Sequence, residues 1–509
     1  MNAKIRRQLE RRKRRIQYRL EKAKLKNLDK PVFTASNIQY QIGDRLRGIA
    51  HGGIGAIHLL ARRIGLIDAI NEKLHLLKIH LPYHESDHVL NFAYNALCDG
   101  TCLQDLELRR NDEAYLDALG AQRIPDPTTA GDFCRRFQAP DVYTLLDVFN
   151  EVRQRVWARQ PAEFFAQARL DMDGTMTETT GECKVGMDIS HDGKWGYHPL
   201  IVSLAQTGEV LSVLNRSGNR PSHEGAAAEV DRAMRVCLAG GFRRILLRGD
   251  TDFSQTKHLD RWSDDARVQF IFGLDCTANR HFLADELPGM SWQPLHRRPR
   301  YEVKTEPRAR PANVKERIVR EREFKNIVLQ SEDVAEMPYR PVACGKTYRL
   351  IVVRKNLTVE KGELRLFDDY RYFFYLTNDQ DRSAAEIVFD ANQRCNQENL
   401  LAQLKGGVGA LQAPVDTLES NWAYMVMTAL AWNLKAWWAL WPTETPGRWQ
   451  ERQRREKTTV LGMEFKTFVN AFLRLPCQIV RTGRQLIYRF LSWNPWQATF
   501  FRTVTQLRC

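Results

Sequence analysis

The chain has 509 residues, of which 43% are hydrophobic, so it is too apolar to be disordered as a whole and too long for one ordinary core. Its net charge of +15 favours a polyanionic partner, because lysine and arginine release the counterions that condense along phosphate backbones. Ten cysteines follow no metal-binding spacing, and Cys98 and Cys102 are the only close pair, which argues for free thiols and against a structural zinc site.

The first 30 residues form a basic arm, with 13 lysines and arginines against 3 acidic residues. Ile5, Leu9, Ile16 and Leu20 fall on one thin helical stripe, so the arm can fold as a helix when it meets its partner. A solvated, disordered tail is the other interpretation. The segment is charged almost from its first residue and has no apolar signal-peptide core, which predicts a cytoplasmic protein.

Residues 31–165 predict a helical region. Apolar residues keep helical spacing over 54–64, Gly65 interrupts the run, and a second apolar run begins at Leu66. A helix, a glycine turn and another helix is compatible with a helix-turn-helix that reads DNA. A small helical bundle without DNA contact is the alternative.

The pattern changes to α/β over residues 166–275. The predicted elements are a strand over 168–173, strands over 197–205 and 210–214 that form a hairpin, a helix over 224–239, a strand over 243–248, a short helix over 255–263 and a strand over 268–274. Three strands, a helix, a strand, a helix and a strand is the order of an RNase H-like core.

This core is interrupted and then resumes. Residues 276–382 alternate in polarity, most clearly over 348–354 and 370–376, which predicts an antiparallel β insertion. Ser383 and Glu386 form a capping box for a long helix that we expect to end at Gly406 and Gly407. The second part of the core is predicted over 383–445, and a C-terminal helical region over 446–509.

A very apolar stretch, Trp422–Trp441, needs to be tested as a membrane span. Asn433 and Lys435 lie near its middle, and a central lysine costs roughly 2.5–3.5 kcal/mol to insert into a bilayer. We therefore predict a buried helix of a large core and no membrane partner.

Three aspartates stand out in the strands of the core or directly after them. Asp171 and Asp173 point to one face of the same strand, and a carboxylate there is costly unless it is solvated, paired or bound to a metal. Asp250 follows a hydrophobic strand, at the end where α/β sheets usually place functional groups. These strands are neighbours in an RNase H-like sheet, so Asp173 and Asp250 should converge.

The long helix offers a third acidic group. Arg394, Glu398 and Lys405 would lie within about 40° of one another around a continuous helix. Such a face has a carboxylate that can hold a metal, between two cations that can hold phosphate oxygens. An ordinary solvated face with ion pairs four residues apart is the alternative.

Together, three segments resemble the signatures of DDE transposases of bacterial insertion sequences, in the group with a β insertion before the glutamate: DMDGT at Asp171–Thr175, RGDTDF at Arg248–Phe253 and NQRCNQENLLAQLK at Asn392–Lys405. The third signature of that group is Tyr-x2-Arg-x3-Glu-x6-Lys. Arg394, Glu398 and Lys405 fit its spacing, whereas Ala391 stands at the tyrosine position. The resemblance covers roughly residues 40–495.

The resemblance implies a metal-dependent reaction on DNA. Asp173, Asp250 and Glu398 would be the catalytic residues and would hold two Mg²⁺ ions, with Mn²⁺ as a substitute. Arg394 and Lys405 would bind DNA by positioning phosphates. The partners implied are double-stranded DNA, as element ends and target, and a second copy of the chain in a homodimeric DNA complex. The location implied is the bacterial cytoplasm, in association with the nucleoid.

Other interpretations stay open at this point. Asp171 and Asp252 each lie two residues from a chosen aspartate and are alternative ligands. A DNA-end-binding regulator without catalysis would have no need of the acidic set, and an RNase H-like nuclease would cleave DNA without joining it.

Overall fold

The computed structural model describes residues 3–24, 38–40, 47–254, 256–296, 328–360, 363–364, 370–483 and 485–508. The chain divides into two compact units, which are described separately. The helical unit consists of Met1–Phe164, Gly174–Arg220 and Asn399–Cys509, and the sheet unit of Phe165–Asp173 and Pro221–Glu398. The predicted segment 166–275 therefore contributes to both units.

The helical unit contains most of the helices. Its α-helices are Ala3–Lys24, Ile54–Arg63, Leu66–Lys73, Glu85–Leu97, Leu106–Arg110, Glu113–Leu119, Pro127–Cys134, Ala139–Trp157, Leu418–Leu440, Gln450–Leu461, Phe465–Phe468 and Gln497–Arg508. Two of its strands form a hairpin, Leu200–Leu204 with Glu209–Leu214. One small sheet consists of Thr177–Glu178, Trp195–Tyr197 and Asp188–Ile189. Another consists of Gly48–Ile49, Cys477–Thr482 and Gln485–Phe490.

Two predictions for the N-terminal half can be compared with this unit. The basic arm is helical over Ala3–Lys24, and the Arg12 guanidinium donates hydrogen bonds to the carbonyls of Phe490 and Ser492 at 2.9 and 3.0 Å. Residues 25–30 of the arm lie outside the described residues. The expected helix, glycine turn and helix is present, because Gly65 adopts a φ of 71°, which glycine tolerates without strain.

The helix Leu418–Leu440 is the centre of the helical unit, and nearly all its side chains are buried. It packs against Glu85–Leu97, Ala139–Trp157 and the strand Glu209–Leu214. Its polar groups find partners: the Asn433 side chain bonds to the N–H and the carbonyl of Val210 at 2.9 and 3.0 Å. The prediction of a buried core helix is confirmed, and no helix among the described residues is long and apolar enough to cross a bilayer.

The buried Lys435 of this helix should make stability depend on pH. Its amine donates to the Leu461 carbonyl at 2.8 Å, and burial lowers the pKa of Lys435 to about 7. Since the unfolded chain keeps this proton up to about pH 10.4, the unfolded state binds more protons above pH 7, and the free energy of unfolding rises with pH. Lys435→Met should abolish this contribution, which is at most about 1.4 kcal/mol per pH unit.

Chemical denaturation of the wild type and the Met variant at pH 7 and 8.5 measures this difference. Equal pH slopes in the two proteins would show that the amine keeps its ordinary pKa when folded.

In the sheet unit, one sheet has the strand order Gln293–Pro294, Val328–Tyr339, Tyr348–Glu360, Tyr370–Thr377, Val268–Leu274, Ile245–Gly249, Ala168–Gly174, with Glu363–Leu364 beside Tyr348–Glu360. The last three strands of this order are parallel, with Asp171 opposite Arg248 and Arg248 opposite Ile271. The other neighbours are antiparallel. The α-helices of this unit are Ala226–Ala239, Leu259–Ser263, Ala278–Asp285 and Ala384–Asn392.

The segment predicted as a β insertion shares a core with the strands that precede it. Leu246 and Ile271 of the parallel strands pack in one buried cluster with Ile351 and Val353 and with Ile387 of the helix Ala384–Asn392. Ile351 and Val353 meet this cluster from one face of their strand, and Leu350 and Val352 on the opposite face are buried as well. Residues 297–327 of the insertion lie outside the described residues.

The predicted C-terminal helical region is wrong in part. The helical turn Val469–Leu473 ends shortly before Pro476, and the chain then forms the hairpin Cys477–Thr482 with Gln485–Phe490. Buried Cys477 and Ile479 alternate with more exposed neighbours, which is the period of a strand and not of a helix. The two short apolar runs were too brief to separate these possibilities.

The predicted long helix over 383–405 is also interrupted. Ser383 caps the helix Ala384–Asn392 as expected, but a turn at Gln393 and Arg394 separates it from the helix Cys395–Ala402, and Gln403–Gly407 is a π-helical turn. At the break, the Arg394 and Gln397 N–H groups bond to carbonyls three residues earlier. The expectation that Arg394, Glu398 and Lys405 share one continuous helical face is therefore wrong.

Candidate active site

Two of the three acidic candidates leave neighbouring strands at the same end of the sheet. Asp171 is paired with Arg248 across the parallel strands, so Asp173 and Asp250, each two residues further on, emerge side by side. Gly249 permits the close approach of the turn Thr251–Phe253 that follows Asp250, because a Cβ at Gly249 would lie 2.8 Å from the Cβ of Phe253. The Asp173 and Asp250 side chains are 16% and 33% exposed, so both are sheltered but reachable.

The third candidate joins them around a cation. The Arg394 guanidinium lies 3.3 Å from Asp173 Oδ2, 3.4 Å from Asp250 Oδ2 and 4.0 Å from Glu398 Oε1. The Glu398 side chain is 63% exposed, whereas that of Arg394 is 15% exposed. The sheet unit therefore brings together four of the five predicted site residues.

The pKa of Asp250 is shifted in opposite directions by burial and by the positive charge of Arg394. Burial raises the pKa of Asp250 above its ordinary value, the Arg394 guanidinium counteracts this rise, and the negative charges of Asp252 and Glu398 add to it. The other carboxylate oxygen of Asp250 accepts the Asp252 N–H at 3.1 Å. A positive charge close to these carboxylates is thus needed to keep them ionised together.

The two alternative aspartates are placed differently. Asp171 is 1% exposed, and both its oxygens accept hydrogen bonds from Arg248, so its lone pairs are already engaged. Asp252 is exposed. In the described part of the chain, the ion pairs of Arg394 are with Asp173, Asp250 and Glu398 and do not include Asp252. This arrangement favours Asp173 and Asp250 as the functional pair.

The donor set suits a hard divalent cation. Carboxylate oxygens are the ligands that Mg²⁺ and Mn²⁺ prefer, and the three carboxylates already surround one positive charge. Within the described residues, however, their oxygens do not all lie within 4.8 Å of one another, so the ligands must close together to share an ion. The residues present fit a metal site that is incompletely formed.

Lys405 belongs to the helical unit. It is exposed on the π-helical turn Gln403–Gly407, where the charges of Glu178 and Lys194 act on it. Its predicted partnership with Arg394 on a single helical face does not exist, because the helix is interrupted before and after Glu398.

A different group of possible ligands occurs in the helical unit. Atoms of His80, His84 and Glu85 lie within 4.8 Å of one another, and the two imidazole rings stack with centroids 4.6 Å apart. One oxygen of Glu85 accepts the N–H groups of Leu76 and Leu77 at 3.1 and 3.0 Å. These contacts are accounted for by the attachment of the preceding loop to the helix Glu85–Leu97.

The sequence analysis missed residues that connect the elements of the candidate site. Arg248 donates to Asp171 on the neighbouring strand and to Asp390 on the helix Ala384–Asn392. The sequence signal was a charged residue next to apolar ones in each element. Arg248 lies near the end of an apolar strand, and Asp390 follows the buried Ile387 and Val388.

Comparisons with known proteins bear on the whole chain. The family model described as transposase DDE domain group 1 matches residues 43–509. No curated protein matches the chain. Among solved structures, it is similar to the piggyBac transposase in a cryo-EM structure of the synaptic complex with hairpin DNA, with 10% identity, a TM-score of 0.34 and coverage of 83% of this chain and 82% of that chain. Since the family match spans nearly the whole sequence, the chain belongs to the DDE transposases.

Proposed function

We propose that the chain binds the terminal inverted repeats of a bacterial insertion sequence and catalyses metal-dependent cleavage and joining of DNA strands. The observation that carries this proposal is the grouping of Asp173, Asp250 and Glu398 around one guanidinium. Two of these carboxylates come from the ends of adjacent parallel strands, and the third lies in the first turn of the helix Cys395–Ala402.

Asp173, Asp250 and Glu398 would hold two Mg²⁺ ions, which Mn²⁺ could replace. Such a pair of ions supplies an activated hydroxyl for in-line attack and neutralises the departing oxygen. The protein's part is to orient the three carboxylates and to keep them ionised. The partial shelter of Asp173 and Asp250 limits the water that competes for the site.

We assign Arg394 two successive tasks. In the DNA-free protein its guanidinium neutralises the carboxylates at 3.3–4.0 Å. In a complex with metal and DNA, the same guanidinium would hold a phosphate of the bound DNA. Lys405, exposed on its turn in the helical unit, is proposed as a second phosphate contact.

Arg394→Gln should therefore strengthen metal binding while it weakens catalysis. Removing the competing cation should tighten Mn²⁺ binding to the DNA-free protein about tenfold, equivalent to ~1.4 kcal/mol. The loss of a phosphate contact should lower the cleavage rate. Mn²⁺ titration followed by electron paramagnetic resonance gives the affinity, with the exposed Arg340→Gln of the same unit as the control for lost charge. Unchanged Mn²⁺ affinity in Arg394→Gln would refute the competition.

DNA recognition is proposed for the helical unit. The basic helix Ala3–Lys24 supplies positive charge, and the pair Ile54–Arg63 and Leu66–Lys73 has the helix-turn-helix form. Two element ends must be held together for transposition, so we propose a homodimer in the DNA complex. The working location is the bacterial cytoplasm, in association with the nucleoid.

The test uses the purified full-length chain, Mg²⁺ and a labelled DNA fragment that carries one element end. The proposal expects nicks at the element boundary and, with target DNA, joined products. Cleavage without joining would identify a nuclease, and specific end binding without any cleavage would identify a regulator. Either result would overturn the proposed reaction.

A further inference from the structure

We infer that Arg248 is a positioning residue that sets the relative placement of the three catalytic elements. The inference rests on the proposed function, because it concerns the carboxylates assigned there. Arg248 is 2% exposed and so does not touch DNA itself. It acts through the strands that lead to Asp173 and Asp250 and through the helix Ala384–Asn392, which precedes the segment of Glu398.

The contacts of Arg248 are directional and use most of its donors. Nε and Nη2 donate to the two oxygens of Asp171 at 2.7 and 2.8 Å, a bidentate pair. Nη1 donates both to the Asp390 carboxylate at 2.7 Å and to the Asp390 backbone carbonyl at 2.8 Å. One guanidinium therefore fixes two carboxylates and a main-chain oxygen at hydrogen-bond distance.

Each of these groups is a short step along the chain from a catalytic residue. Asp171 precedes Asp173 by two residues on one strand, and Arg248 precedes Asp250 by two residues on the next. Asp390 lies in the last turn of the helix Ala384–Asn392, just before the break that leads to Glu398. The network thus connects the two strands and the helix that precedes the break before Glu398.

A second arginine extends the network. Arg382 donates to the other oxygen of Asp390 and to Asp379, each at 2.6 Å. Asp379 in turn accepts the N–H of Asp381 at 2.9 Å, which fixes the segment before the helix. Both oxygens of Asp390 are therefore held, and the carboxylate cannot rotate without breaking a charged hydrogen bond.

Stability alone does not explain such a network. Desolvating several charges offsets much of their attraction, and apolar residues of similar volume often stabilise a core as well or better. Apolar contacts, however, tolerate sliding, whereas a bidentate pair fixes both distance and orientation. The structural gain from Arg248 is therefore precision in the placement of the elements that it connects.

The decisive variant is Arg248→Lys in the full-length protein. Lysine keeps the positive charge but cannot form the bidentate pair with Asp171. We expect near-normal thermal unfolding and end binding. Mn²⁺ affinity of the DNA-free protein should fall 10–100-fold, the range for groups that orient metal ligands. At saturating Mg²⁺ and DNA, the single-turnover cleavage rate should fall at least tenfold, with little change in the DNA concentration for half-saturation.

The matched control is Arg261→Lys. Arg261 makes the same kind of bidentate pair with Asp231, at 3.0 and 2.8 Å, but its side chain is 45% exposed and it has no catalytic neighbour on its helix. Should Arg248→Lys not fold, Asp390→Asn replaces it, because the amide keeps an oxygen for Arg248 and loses the charge and the oxygen that accepts from Arg382. We expect a smaller loss of Mn²⁺ affinity in that variant.

The outcomes separate the two proposals. A wild type that binds no Mn²⁺ at the carboxylates and cleaves no DNA removes the proposed function and this inference together. A wild type that cleaves, with an Arg248→Lys variant equal to it in Mn²⁺ affinity and rate, overturns the inference alone. Loss of folding in both variants would also overturn it, since Arg248 would then serve stability.

Discussion

Asp173→Asn, Asp250→Asn and Glu398→Gln are each expected to reduce DNA cleavage and joining by a factor on the order of 10³ or more, with end binding retained. The amides keep the size of the side chains, but each removes a charged ligand from the shared site. The three carboxylates act as a unit around one cation, so losing any one should cost nearly as much as losing all. Gel analysis of labelled end fragments measures nicking and joining separately.

Asp252→Asn is the matched control for these variants. It removes an exposed carboxylate only two residues from Asp250. Within the described residues, Asp252 is not among the ion-pair partners of Arg394. Its cleavage rate should stay within about twofold of the wild type. If the three catalytic variants cut as well as this control, the site assignment is wrong.

Glu209→Ala should destabilise the helical unit more than any surface substitution. The Glu209 side chain is fully buried and accepts the indole N–H groups of Trp157 and Trp437 at 2.9 and 2.8 Å and the Thr207 hydroxyl at 2.7 Å. Alanine removes the acceptor of the two buried indole N–H groups and opens a cavity. A loss of about 3–5 kcal/mol in the free energy of unfolding is expected.

Urea denaturation followed by tryptophan fluorescence can measure this loss. Glu182→Ala, an exposed glutamate of the same unit, is the control and should change the free energy of unfolding by no more than about 0.5 kcal/mol. A Glu209→Ala protein as stable as the control would show that the indole groups find other acceptors.

The sheet of the candidate site was largely predictable from sequence. Short apolar runs with an aspartate at or just past their ends specify strands, and their order along the chain predicts that the Asp173 and Asp250 strands are neighbours. The structure places Asp171 opposite Arg248 in a parallel pair, as that order requires. The roles of these aspartates and of Glu398 stay predictions.

The third element was less predictable because tertiary contacts override local propensity there. The sequence from Ser383 to Lys405 has a good capping box and no proline, which predicts one long helix. The break at Arg394 coincides with the contacts of its guanidinium with Asp173 and Asp250, residues 221 and more than a hundred positions away. A local sequence pattern cannot predict a contact with a residue so far away along the chain.

The buried network was invisible for a related reason. The last of the three arginines in Arg243–Arg248 (RRILLR) is also compatible with a solvated strand end, and only its pairing with Asp171 and Asp390 shows that it is buried. The C-terminal hairpin was missed on length alone, since Cys477–Thr482 and Gln485–Phe490 are too short for periodicity to decide.

The network also has a consequence for biosynthesis. A ribosome makes Arg248 long before Asp390, so a prematurely terminated product would contain an arginine designed for burial but only half of its partners. The same product would lack the last acidic residue of the candidate site. Truncated chains should therefore fold poorly and lack part of the candidate site.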